Sequence, residues 1–201
     1  MSELLAFVRL GFHHITDPAA LDHMLFLLAL AAIYRGRDWR DSLWVISAFT
    51  VGHSITLALA VTGALRLPTP VIEFLIPLTI VATGVENIVV RHRARAPLGG
   101  RYRPVFAGVF GLVHGAGFAN YLTSLFAGSI VLPLFGFNLG IELGQLVVLA
   151  LAGLVLAALD RLLGLVRWPE ATPTAFRLRV LAVSGVVVLV AARMAATRVP
   201  W

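Results

Sequence analysis

The chain has 201 residues, 59% hydrophobic and 13% charged, with six more basic than acidic side chains and a mean hydropathy of +0.92. A soluble domain carries about 25% charged residues, so so few charges cannot cover a soluble surface, and an ordinary cytosolic enzyme, a disordered chain and a nucleic-acid binder are all excluded. The sequence predicts an all-α integral membrane protein forming one polytopic membrane domain over residues 1–201.

A helix needs about 20 apolar residues to cross the hydrocarbon, and the chain offers six such stretches. Residues 1–18 come first, an amphipathic segment with charges at Glu3, Arg9 and Asp17 and histidines at His13 and His14. It has neither a basic leader region nor a small-residue cleavage site, and so does not read as a signal peptide. The first span, near 19–34, holds Asp22 and His23; it is short unless Leu4 to Phe12 packs in as well. The second, 43–64, holds His53 and Ser54, and the third, 70–90, holds Glu73, Glu86 and Asn87. His114 lies in the fourth, 105–126. The fifth, 132–160, carries Asn138, Glu142 and Gln145 at i, i+4 and i+7, on one helix face. The sixth runs over 178–197.

The connections alternate in charge. Arg35, Arg37 and Arg40 follow the first span, Arg91, Arg93, Arg95, Arg101 and Arg103 the third, and Arg161, Arg167, Arg177 and Arg179 the fifth. The opposite side has Arg66 and an uncharged turn from Gly128 to Pro133. The positive-inside rule then puts both termini outside and the arginines in the cytoplasm.

Ionisable groups inside the membrane cost a few kcal/mol each and call for a partner or a task. At about 1.5 Å per residue, His53, His114 and Glu142 fall near mid-bilayer, with His14, Asp22 and His23 above them towards the outer face. Glu73 reads as an interfacial charge, and Glu86 sits nearer the cytoplasmic end. The chain has no cysteine, so any metal must rely on imidazole, carboxylate or backbone oxygen. Neutral imidazoles with one or two carboxylates suit nickel, cobalt, zinc or copper(II). The small residues in Gly52-His53-Ser54 and His114-Gly115-Ala116-Gly117 permit close helix approach.

The metal ligands expected are His14, Asp22, His23, His53, His114 and Glu142, with His13, Asp17, Ser54, Glu86, Asn87, Asn138 and Gln145 along the route or behind the ligands. Such a set suits permeation of a divalent transition-metal cation, with no P-loop for a primary pump. Three histidines with an open position also suit a membrane-embedded metal-dependent hydrolase. An accessory subunit whose polar residues only join helices is the third reading.

Several segments resemble the HupE/UreJ family of bacterial membrane proteins, and its second branch most. They are Gly11-Phe12-His13-His14, Leu21-Asp22-His23-Met24, Phe49-Thr50-Val51-Gly52-His53-Ser54, Val85-Glu86-Asn87, Phe110-Gly111-Leu112-Val113-His114-Gly115-Ala116-Gly117 and Phe137-Asn138-Leu139-Gly140-Ile141-Glu142. The resemblance implies a multi-pass inner-membrane protein linked to nickel uptake for hydrogenase or urease, with metalloenzyme-maturation partners or self-association, and metal handling by His14, Asp22, His23 and His114. Seven residues separate His14 from Asp22 where the family usually has five. The nickel-permease form of the fourth-span motif has a second His and a following Glu where this chain has Phe110 and Gly117, which leaves Glu142 as a replacement carboxylate.

Overall fold

A computed structural model describes residues 3–34, 38–90, 100–125, 130–165 and 175–201, with the side chains of 119–125 left aside. The described residues are helical, with no strand among them: α1 Glu3–Thr16, α2 Leu21–Ile33, α3 Trp39–Val61, α4 Thr69–Val90, α5 Arg103–Leu125, α6 Val131–Gly164 and α7 Ala175–Thr197. The helices α3, α4, α6 and α7 are each long and apolar enough to cross a membrane. The pair α1 and α2, bent by 71°, adds a fifth crossing if it forms one broken span. Among the described residues α1 corresponds to the amphipathic segment 1–18 and α2–α7 to the six predicted spans. Arg35, Arg37, Arg91, Arg93, Arg95, Arg167 and Gly128 lie outside the described residues.

The split follows from local chemistry. Pro18 has no N–H to give and disfavours helical geometry at Asp17 before it. Asp17 instead turns its Oδ1 to accept the Ala19 N–H at 2.8 Å. The chain re-enters a helix at Leu21 with Asp22 in the first turn, where the helix dipole favours a negative charge. The kink therefore sets His14, at the end of α1, beside His23, at the start of α2.

The amphipathic segment is part of the bundle. Gly11 and Gly140 bring α1 and α6 so close that a Cβ on Gly11 would lie 2.0 Å from the Phe137 carbonyl oxygen, and one on Gly140 2.1 Å from that of Val8. The pair α3 and α5 repeats this arrangement: a Cβ on Gly52 would meet the Gly108 oxygen at 2.0 Å, and one on Gly111 the Phe49 oxygen at 2.1 Å. Without a hydrophobic drive between helices in lipid, close backbone packing of this kind holds them together.

α7 packs against α4 and α2. Pro77 lies inside α4 and withholds the N–H that would bond the Glu73 carbonyl. The core joins Phe26, Phe49, Phe137, Ile80 and Val187. α6, 34 residues long, spans about 51 Å and overshoots the hydrocarbon.

Candidate metal-cation site

The polar groups divide between the two ends of the bundle. One end is formed by the α1–α2 kink, the starts of α4 and α6 and the end of α7; the other by the end of α2, the starts of α3, α5 and α7 and the ends of α4 and α6.

At the first end a cavity of about 440 Å³ is lined by His14, Asp22, His23, Glu73, His114 and Arg198, among others. The ring centres of His14 and His23 are 4.6 Å apart, those of His23 and His114 5.6 Å, and those of His14 and His53 6.4 Å. Four imidazoles from α1, α2, α3 and α5 therefore meet in one place. His53 is fully buried behind the cavity, and His114 is 2% exposed.

The hydrogen bonds of two of these rings fix which nitrogen is free. His23 Nδ1 lies 3.0 Å from Asp22 Oδ1, which also accepts the His23 backbone N–H. A carboxylate accepts, so Nδ1 carries the proton and Nε2 keeps its lone pair. The Thr79 hydroxyl donates to the Ile76 carbonyl at 2.7 Å. Its oxygen is then the acceptor for His114 Nε2–H at 3.1 Å, which leaves the lone pair on His114 Nδ1. His23 Nε2 and His114 Nδ1 are both buried without a hydrogen-bond partner, as are His14 Nε2 and both nitrogens of His53. Buried polar atoms normally find partners, and five orphaned imidazole nitrogens in one cluster give it donor atoms that a cation could use. Metal-ligating histidines characteristically donate their other N–H to a carboxylate or another fixed acceptor, the arrangement of His23 with Asp22 and His114 with Thr79.

The spacing suits a cation. With a metal–nitrogen bond of about 2.0–2.1 Å and roughly 1.1 Å from nitrogen to ring centre, two imidazoles on one tetrahedral ion hold their centres about 5 Å apart. The 4.6 and 5.6 Å separations straddle that value. Among the described residues no three His, Asp or Glu side chains hold their donors already converged for a metal ion. The rings are close together, and chelation by three of them would require rotation about their side-chain bonds.

Phe26 and Phe49 stack below the cluster with centres 4.7 Å apart, and both rings lie against His114, at 5.8 and 5.1 Å. Beyond them, towards the second end, a smaller cavity of about 100 Å³ is lined by Phe26, Thr83, Glu86, Tyr102, Arg103 and Phe110, among others. Arg103, 6% exposed, pairs with Glu86 Oε2 and donates to Asn87 Oδ1 at 3.2 Å. The Tyr102 hydroxyl donates to Glu86 Oε1; burial, and then the Glu86 carboxylate, push that phenol's pKa up and keep its proton on. Asn87 also donates to the Ala29 carbonyl at 2.7 Å and to Ser184 at 3.3 Å. Nearby, Arg179 pairs with Asp160 at 2.5 Å and donates to the Ala32 and Tyr34 carbonyls.

The other expected residues fall as follows. His13 and Asp17 are exposed, on the outside of the kink. Gln145 is buried and accepts from Thr50 at 3.0 Å; Ser54 donates to the Thr50 carbonyl at 2.6 Å. Asn138 and Glu142 are half-buried on α6, and Glu142 is not on the wall of the histidine cavity, whose carboxylates are Asp22 and Glu73. Glu73 therefore faces the cavity rather than marking an interface alone. The sequence reading missed Thr79 and Arg198. A threonine inside an apolar run gives no signal, and Arg198 lies one residue beyond the last predicted span, 178–197.

No curated protein and no solved structure matches the chain. A family model described as HupE / UreJ protein matches residues 1–197, almost the whole length. With its apolar helices and histidine cluster, the chain belongs to the HupE / UreJ family, membrane proteins associated with nickel uptake or accessory roles rather than with enzymatic activity.

Proposed function

We propose that the chain binds a divalent transition-metal cation and carries it across the bacterial inner membrane. Nickel leads, with cobalt, zinc and copper as chemical equivalents, and the cargo serves hydrogenase or urease maturation. The observation that carries this reading is the cluster of four imidazoles from four helices, with five ring nitrogens unpartnered. His14, Asp22 and His23 capture the ion at the cavity; His53 and His114 hold it deeper. Glu142 joins through α6 on rearrangement, and Asn138, Gln145 and Ser54 shape the polar face behind it. Glu86 and Asn87 take the ion towards release.

The orientation rests on the arginine clusters: six crossings, both termini outside and the histidine cavity opening to the periplasm. Counting six requires α1 and α2 to form one broken crossing and α5 to cross as well. Broken helices that line a cavity are a recurrent way to build a mid-membrane site. His13 and Asp17 stand where an arriving ion first meets the protein.

The test is elemental analysis of the purified protein together with nickel uptake into proteoliposomes, for the wild type, His23→Ala and His114→Ala. Both variants should lose bound metal and uptake together. Unchanged metal and uptake in both variants reject the site. Bound metal in the wild type without any uptake selects the accessory role.

A further inference from the structure

Arg103 is buried at the start of α5. The polar partners of its guanidinium are oxygens: the Glu86 carboxylate and the Asn87 amide oxygen, with the Tyr102 hydroxyl bonded to the same carboxylate. The Tyr34 ring lies 5.8 Å from its Cζ. This nest forms part of the wall of the 100 Å³ cavity, which Phe26 also lines, and the Phe26 ring centre lies 5.8 Å from that of His114. Arg103 is the first residue of α5, and His114 is on the same helix. A movement of α5 that re-aims His114 therefore also pulls on the guanidinium.

We propose that Glu86, Asn87 and Tyr102 form a second cation site on the route, which Arg103 occupies as a tethered plug until α5 moves. This rests on the transport reading above, and it adds a ligand class and a gate. The donor chemistry supports release at this end. A borderline metal binds imidazole nitrogen more tightly than neutral oxygen, whereas all-oxygen shells suit harder ions. Passing from four imidazoles to one carboxylate and two neutral oxygens lowers affinity along the path. The fixed positive charge of Arg103 meanwhile keeps cytoplasmic cations off Glu86, because like charges sharing one carboxylate repel.

The probe is Mn²⁺, a hard ion suited to oxygen donors, titrated against detergent-purified protein and followed by electron paramagnetic resonance. The background is His114→Ala, so that the histidine site does not contribute. In that background Arg103 should exclude Mn²⁺. Adding Arg103→Gln should create one Mn²⁺ site per chain, and adding Glu86→Gln to that variant should remove it. In proteoliposomes loaded with nickel, Arg103→Gln alone should leak metal outward, while Arg103→Lys, which keeps the charge, should stay tight.

Failure of Arg103→Gln to bind Mn²⁺, with no leak, overturns the plug and makes the pair a helix staple. If Arg103→Gln does not fold, Glu86→Gln on the otherwise wild-type chain decides. The plug predicts nickel bound at the histidines but slowed release inward; a staple predicts unchanged transport in whatever protein folds. The Mn²⁺ readout is independent of the histidines, so failure of the metal-carrier reading shows instead as absent nickel binding in the wild type.

Discussion

The two ends of the bundle use buried polar groups in opposite ways. At the arginine end the charges are tied down: Arg179 meets Asp160 and two backbone carbonyls, and Arg103 meets Glu86 and Asn87. At the histidine end five ring nitrogens have no partner, although one hydroxyl and one carboxylate lie close enough to orient two of the rings. The arginine pairs close most of their bonds within the protein, although Arg103 Nε and Asp160 Oδ1 are also buried without a partner, whereas the imidazoles gather five such nitrogens in one cluster. Substitutions in the Arg179–Asp160 pair should therefore cost stability and spare nickel binding, and those among the histidines should do the reverse.

The largest effect should come from Arg179→Met. Removing one partner of a buried ion pair typically costs about 3–5 kcal/mol, because the other charge is stranded. Here Asp160 would lose its partner and the Ala32 and Tyr34 carbonyls their donor, so thermal unfolding in detergent should occur at a clearly lower temperature. Nickel affinity of the folded fraction should stay at the wild-type value. Adding Asp160→Leu should recover much of the loss. A drop in affinity that matches the drop in stability would break the contrast, since it would mean that the ends do not act separately.

How much of this the sequence revealed depends on what each residue's pattern encodes. An apolar run sets a helix and a count of residues sets depth, so the all-helical membrane class was legible, and the histidines stood out as ionisable groups in hydrocarbon. Depth says nothing of azimuth. Glu142 was placed at the right height for a ligand, yet it is half-buried on α6 and off the cavity wall, while Glu73 faces the cavity. Arg103 and Arg179 counted as topology signals, but both are buried in the helix ends, which a count of loop charges cannot distinguish. The α1–α2 kink had its signal in Asp17-Pro18. Its consequence, two histidines nine residues apart in sequence meeting ring to ring, depends on α6 drawing α1 inward through Gly11 and Gly140.

Thr79→Val sharpens the contrast from the histidine side. The valine keeps the shape but takes no hydrogen bond, so His114 is free to turn over or change tautomer. Loss of such an orienting partner typically lowers metal affinity 10–100-fold, about 1.4–2.8 kcal/mol. Isothermal titration with nickel should show this weakening while the unfolding temperature falls far less than for Arg179→Met. An unchanged affinity would mean that the Thr79 bond is incidental and that His114 is aimed by packing alone.

The smallest expected effect separates two adjacent residues. His14 reaches the cluster, its ring centre 4.0 Å from that of Phe118 and 4.6 Å from that of His23, whereas His13 is exposed on the other side of α1. His13→Ala should alter stability by under about 0.5 kcal/mol, as exposed substitutions usually do, and leave the nickel titration unchanged; His14→Ala should weaken binding as Thr79→Val does. If His13→Ala weakens binding and His14→Ala does not, α1 must be rotated by roughly 100°, the angle between adjacent residues on a helix. Gly11 would then no longer face Phe137, and the glycine-lined α1–α6 contact and the histidine cluster would fail together.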